Sequence, residues 1–176
     1  MRAPIRQRPG SGMESYTHGA IEGKPPTAQL WTDASYKNGA MGLGIVLLAA
    51  DAIKPTTWMV RCKEAGHDST QAELHAINFA VNQARERGHT SIVLHTDASM
   101  AIWHTSSNTQ LYDVMPALHN ALDSMDCVQL RWTPRERNEM ANALSRMALS
   151  LPYSYAAGLS IKHTLPQRVN DWTPSL

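Results

Sequence analysis

The chain has 176 residues, 43% of them hydrophobic and 18% charged, and a formal net charge of +1. One domain of that length buries a sizeable core, and no apolar run approaches the roughly 18 residues a membrane-spanning helix needs. Two cysteines, Cys62 and Cys127, are too few for a disulfide scaffold and suit a reducing intracellular setting, cytoplasmic or mitochondrial.

Residues 1–27 carry four basic side chains against two acidic ones (+2), residues 28–150 ten against twelve (−2), and residues 151–176 two against one (+1). A slightly acidic central region exerts no strong pull on a polyanion. The first 27 residues are rich in Gly, Pro, Ser and Arg without an apolar period and read as a flexible tail. Its early arginines, with no acid before Glu14, match a mitochondrial-type transit peptide; a disordered tail, or a cloning scar (GSG) ahead of an original Met13, are the alternatives.

From Ala28 a pattern sets in. Ala28–Tyr36 is predicted as a strand, Lys37–Gly39 as a turn, and Ala40–Ala50 as a second strand holding Gly42 and Gly44. Thr56–Cys62 is a third strand. Ser69 or Thr70 starts a long helix that runs to about Arg87 and stops at Gly88. Ser91–Thr96 is apolar on both faces, as central strands are. Helices are predicted near Ser99–His104 and Leu111–Met125, a fifth strand at Cys127–Trp132, and a last helix at Asn138–Ser150. The order implies an α/β domain over 28–150: a five-stranded mixed sheet, an antiparallel meander followed by parallel strands, flanked by helices. Residues 151–176, with Tyr153, Tyr155 and Trp172, read as an extension that docks loosely or binds a tethering partner.

Three acids occupy positions that packing alone would not choose. Asp33 is flanked by Leu30, Trp31 and Ala34 in the first predicted strand. Glu73 shares the apolar stripe of its helix with Ile77, Ala80 and Ala84, and so faces the sheet. Asp97 ends the fourth predicted strand, at the edge where open α/β sheets place ligands. Glu73 alone would be explained by the positive end of a helix, and Asp97 alone by a cap on the next helix; Asp33 has no comparably cheap explanation. If the first and fourth strands are neighbours the acids converge, and burial and mutual repulsion would then force protonation. A divalent cation relieves both, and oxygen-only ligands suit Mg²⁺ or Mn²⁺.

Set in order, "WTDASYKNGAMGLGIV", "STQAELHAI", "VLHTDAS" and "WTPRERNEMANALSRMA" resemble the motifs of type 1 ribonuclease H, in its compact plant- and prokaryote-like branch or a mobile-element one, over about Gln29 to Leu149. The spacings are 40 residues from Asp33 to Glu73, 24 to Asp97 and 45 to Asn142. The resemblance implies a ribonuclease H-like fold, endonucleolytic cleavage of the RNA strand in RNA–DNA hybrids, and two Mg²⁺ ions (Mn²⁺ substituting) on Asp33, Glu73, Asp97 and the residue at Asn142. There the family has a fourth catalytic Asp. Asn142 brings no charge, so the ion it serves is expected to bind less tightly, and this chain to be impaired by orders of magnitude. An engineered replacement and a natural, degenerate member both fit.

By the same resemblance Ser69, Thr70 and Gln71 are expected at the hybrid's minor groove, where the 2′-hydroxyl marks RNA, and Ser35 is expected to bind substrate. Trp103 and Arg135 are expected at its backbone; Trp103 as a half-buried helix residue and Arg135 as a solvated loop residue are the plain alternatives. From Ala98 to Leu130 there is no Lys or Arg, so the basic protrusion of some relatives is missing. Residues 133–139 hold no His, as in the compact branch. Two further readings stand beside the enzyme: a catalytically inactive ribonuclease H fold serving a larger nucleoprotein assembly, and another nuclease of the superfamily, which the compact closing motif disfavours.

Overall fold

The structure, a computed structural model, describes residues 14–19, 25–63, 68–107 and 109–151. The expected transit peptide or cloning scar ahead of Met13, and all of the C-terminal extension but Leu151, lie outside the described residues. In chain order the elements are β1 (Ser15–Gly19), β2 (Ala28–Lys37), β3 (Ala40–Ala49), β4 (Thr56–Lys63), α1 (Ser69–Glu86), β5 (Ser91–Thr96), α2 (Ser99–Ser107), α3 (Met115–Asp123), β6 (Cys127–Trp132) and α4 (Glu139–Ala148), with a 3₁₀ turn at Arg135–Arg137.

The strands form one mixed sheet in the order β1-β6-β5-β2-β3-β4. The meander β2-β3-β4 is antiparallel, while β2, β5 and β6 run parallel. The hairpin between β2 and β3 turns through Asn38 and Gly39, both at positive φ, as a two-residue type I′ loop requires.

The sheet has six strands where five were expected. The sixth is β1, inside the segment read as a flexible tail, paired antiparallel with β6 from Ser15↔Arg131 to Gly19↔Cys127. Five residues are too few for a periodic signal. What makes them a strand is β6, whose outer edge would otherwise present unpaired amides and carbonyls.

Helix bounds differ for local reasons. Asp68 caps α1, its Oδ1 accepting from Gln71 N at 2.8 Å, and Gly88 at φ +82° follows its end. α3 begins at Met115 instead of Leu111, because Pro116 belongs in a first turn, where its missing N–H costs nothing. α4 begins one residue after Asn138, whose side chain makes no cap bond and is committed elsewhere.

The sheet separates two cores. Leu30, Leu43, Ile45 and Leu94 pack with Leu74 and Ile77 of α1 and with Ile102 and Leu118 of α2 and α3. On the other face Trp31, Val46 and Met59 pack with Met140, Ala141, Leu144 and Ala148 of α4. Gly42 and Gly44 set the depth of that second contact. A Cβ at Gly42 would overlap the Ser145 carbonyl oxygen, and one at Gly44 the Ala141 carbonyl oxygen. The bare glycines let α4 lie directly on β3, which carries its polar edge to β2. No described helix is long and apolar enough to cross a membrane.

Candidate metal centre

β2 and β5 pair from Ala28↔Ile92 to Thr32↔Thr96 and then part. The next residue on each strand is an aspartate. Side chains alternate along β2, so Asp33 and Ser35 share the face of Trp31, toward α4. Asp97, half-buried, is held at the end of β5: its carbonyl accepts from Trp132 Nε1 at 3.2 Å, and its Oδ1 lies 3.5 Å from Asn138 Nδ2.

Glu73, in the first turns of α1, reaches the gap between the parting strands. Its Oε1 accepts from Ala34 N at 3.2 Å, just past the last β2–β5 pair. One carboxylate oxygen from each of Asp33, Glu73 and Asp97 lies within 4.8 Å of the other two. The convergence predicted for three acids spread over 65 residues of chain is what the structure displays.

The electrostatics of this cluster are unresolved by protein groups. Asp33, 5% exposed, is pushed up to about 6, first by burial, with Asp97 adding and Ser145 and Arg135 opposing. Glu73 is raised well above the usual carboxylate range by burial and then by Asp33 and Asp97; the Ala34 amide and Arg135 oppose. Its second oxygen, Oε2, is buried without a hydrogen-bond partner. Converging negative charge around an orphaned oxygen is the condition a divalent cation relieves, so the donor set fits a metal ion.

Asn142, expected from the sequence as a fourth ligand, is linked to Asp33 through Ser145. The side-chain oxygen of Asn142 accepts from Arg135 Nη2 at 3.1 Å. Its carbonyl lies 2.8 Å from Ser145 Oγ, which in turn donates to Asp33 Oδ2 at 2.6 Å. Of the residues expected at substrate, Ser69 is exposed and Thr70 half-buried at the start of α1, whereas Gln71 is buried at 1% exposure. Trp103 is exposed on α2, its ring meeting His104 edge-on. Ser35 lies 2.9 Å from Ser145 Oγ.

Two contributors were not singled out from the sequence. Asn138 donates to Thr32 O at 2.8 Å and ties the start of α4 to the end of the β2–β5 ladder. Ser145, fully buried, touches Asp33. A signal for it existed: Ser145 falls on the apolar stripe of α4 with Ala141, Leu144 and Ala148, as Glu73 falls on that of α1.

Residues 32–148 match the family model described as reverse transcriptase-like. The chain belongs to this family. Among solved structures, ribonuclease H1 from the archaeon Halobacterium salinarum NRC-1 is 22% identical with a TM-score of 0.61, the match covering 69% of this chain and 96% of that one. The N-terminal ribonuclease H domain of a Mycobacterium tuberculosis protein, solved fused to maltose binding protein, is 17% identical at 0.62 over 70% and 98%. LC11 ribonuclease H1, solved in complex with an RNA/DNA hybrid, is 14% identical at 0.53 over 70% and 99%. No curated protein matches the sequence. At these identities the structural likeness establishes the ribonuclease H-like fold, carried among the described residues by a six-stranded mixed sheet and four α-helices. Within that fold the described residues include an acidic cluster able to hold a metal ion.

Proposed function

We propose that this ribonuclease H-like chain is an endonuclease that cleaves the RNA strand of RNA–DNA hybrids, using two Mg²⁺ ions (Mn²⁺ as substitute), and that Asn142 impairs it. The observation that carries this reading is the Asp33–Glu73–Asp97 cluster with its orphaned Glu73 Oε2. The neighbour captured with a hybrid supports the substrate class, and the two free cysteines support a cytoplasmic or mitochondrial setting.

Divalent ions held there would stabilise the charge that develops as a phosphodiester is hydrolysed. The chain's own residues do the rest. Asp33, Glu73 and Asp97 present oxygens from three different elements, and Asn138 and Trp132 fix Asp97 before substrate arrives. Ser69 and Thr70 at the start of α1 face the hybrid's minor groove in this reading, with Gln71 buried behind them, and Ser35 is a further substrate contact toward the end of β2. Trp103 and Arg135 meet its sugar–phosphate backbone.

Asn142 supplies a neutral oxygen where a charge is needed, and that oxygen is already engaged by Arg135. The same hydrogen bond favours a second reading: a catalytically silent binding or structural subunit, tethered to an assembly through its terminal extensions. Hybrid-cleavage assays in Mg²⁺ on the unmodified protein and on Asn142→Asp separate the two. The enzyme reading expects cutting to rise by orders of magnitude in the variant, with duplex DNA untouched. An Asn142→Asp protein that neither cuts nor binds Mn²⁺ removes the enzyme and leaves the subunit.

A further inference from the structure

We infer that Ser145, backed by Ser35, is a positioning residue that fixes Asp33 as a metal ligand through one oxygen only; the inference rests on the metal-centre reading above. Ser145 Oγ is the hub of three contacts: Asp33 Oδ2 at 2.6 Å, Ser35 Oγ at 2.9 Å and the Asn142 carbonyl at 2.8 Å. A hydroxyl has one proton to donate. With Asp33 ionised, the charge-assisted bond to Oδ2 is the stronger claim on that proton, and its short length fits such a bond. Ser145 then has lone pairs free, and Ser35 donates to one of them. The result is a directed chain, Ser35 O–H to Ser145 O–H to Asp33 Oδ2, that leaves the carboxylate's other oxygen for the acidic cluster.

The chain is anchored at both ends. Ser35 and Asp33 are two apart on β2 and so project to one face, while Ser145 comes from α4, which the bare Gly42 and Gly44 allow to approach. Ser145 is fully buried, so no water competes for its proton. Without it Asp33 Oδ2 would be a further buried oxygen lacking a donor, and the carboxylate would be free to turn about its χ2. The Asn142 carbonyl is the competing acceptor: removal of Ser35 loosens the hub and lets the Ser145 proton turn to it.

The test is Mn²⁺ binding, by calorimetry and by the electron paramagnetic resonance of the free ion, on the full chain without hybrid. It compares unmodified protein with Ser145→Ala, Ser35→Ala and Ser145→Cys, each also melted in EDTA. Loss of an outer partner of a metal ligand typically weakens affinity about 10–100-fold. Ser145→Ala is expected in that range, Ser35→Ala less weakened, and Ser145→Cys, which keeps a weak donor, between Ser145→Ala and unmodified protein. Ser35 lies on a strand end and is not fully buried, so its variant reports on the chain even if Ser145→Ala fails to fold. Unaltered Mn²⁺ affinity in Ser35→Ala and in any folded Ser145 variant overturns the inference while the metal centre stands. No Mn²⁺ binding by the unmodified protein removes the metal centre, and this inference with it.

Discussion

Replacing Asp33 by Asn should stabilise the metal-free protein at neutral pH and abolish its stabilisation by metal. Burial first, and then the neighbouring Asp97, push the Asp33 carboxyl from 3.8 to about 6. An acid whose value is higher folded than unfolded makes the native state bind more protons. Its penalty is therefore fully present above pH ~6 and vanishes below pH ~4, so stability falls as pH rises through that window. At ~1.4 kcal/mol per pH unit, the gap between 3.8 and about 6 is a penalty of about 3 kcal/mol. Asn is isosteric, uncharged and still able to accept from Ser145. Urea unfolding in EDTA at pH 7.5 and pH 4.5, for Asp33→Asn against unmodified protein, measures the difference. The comparison cancels groups such as His95, held down to about 4 by burial and by Arg131, whose contribution runs the opposite way with pH. The expected gain is about 3 kcal/mol at pH 7.5, falling to about 1 kcal/mol at pH 4.5. In millimolar Mn²⁺ the unmodified protein should gain stability by mass action and the variant should not. A variant less stable than the parent in EDTA at pH 7.5, or a difference independent of pH, would refute the burial argument.

Gly44→Ala places a Cβ against the Ala141 carbonyl and the Ser145 amide, which must shift α4. Thermal melting should show a loss of about 1–3 kcal/mol, and Mn²⁺ affinity should fall with it because Ser145 moves; an unchanged melting temperature would mean α4 is not seated on β3. Hybrid binding should be weak and fade above physiological salt, since residues 28–150 carry a net −2. Fluorescence anisotropy across a salt series checks this, and tight binding at high salt would place basic contacts elsewhere on the chain.

Much of this protein is written locally. The apolar runs of β2 and β3 with the turn between them, the doubly apolar β5, the length of α1 and its stop at Gly88 are all readable because period and punctuation are properties of neighbouring residues. The three acids were readable for a related reason: a carboxylate at an apolar position violates the local pattern and so announces a purpose. What local pattern cannot carry is a partner that another part of the chain supplies. β1 is a strand because β6 offers it an edge, and Asn138 forgoes capping α4 because Thr32 O is within reach of its side chain. Ser145 looks like one more small helix residue until α4 settles onto two glycines and brings its hydroxyl to Asp33. Composition and periodicity thus determined which segments fold into what, and marked the residues that bear charge. Only the packing of α4 and the parting of β2 from β5 decided how those charges face one another. Distance between groups far apart in the chain is set by the whole core, and no window of sequence contains it.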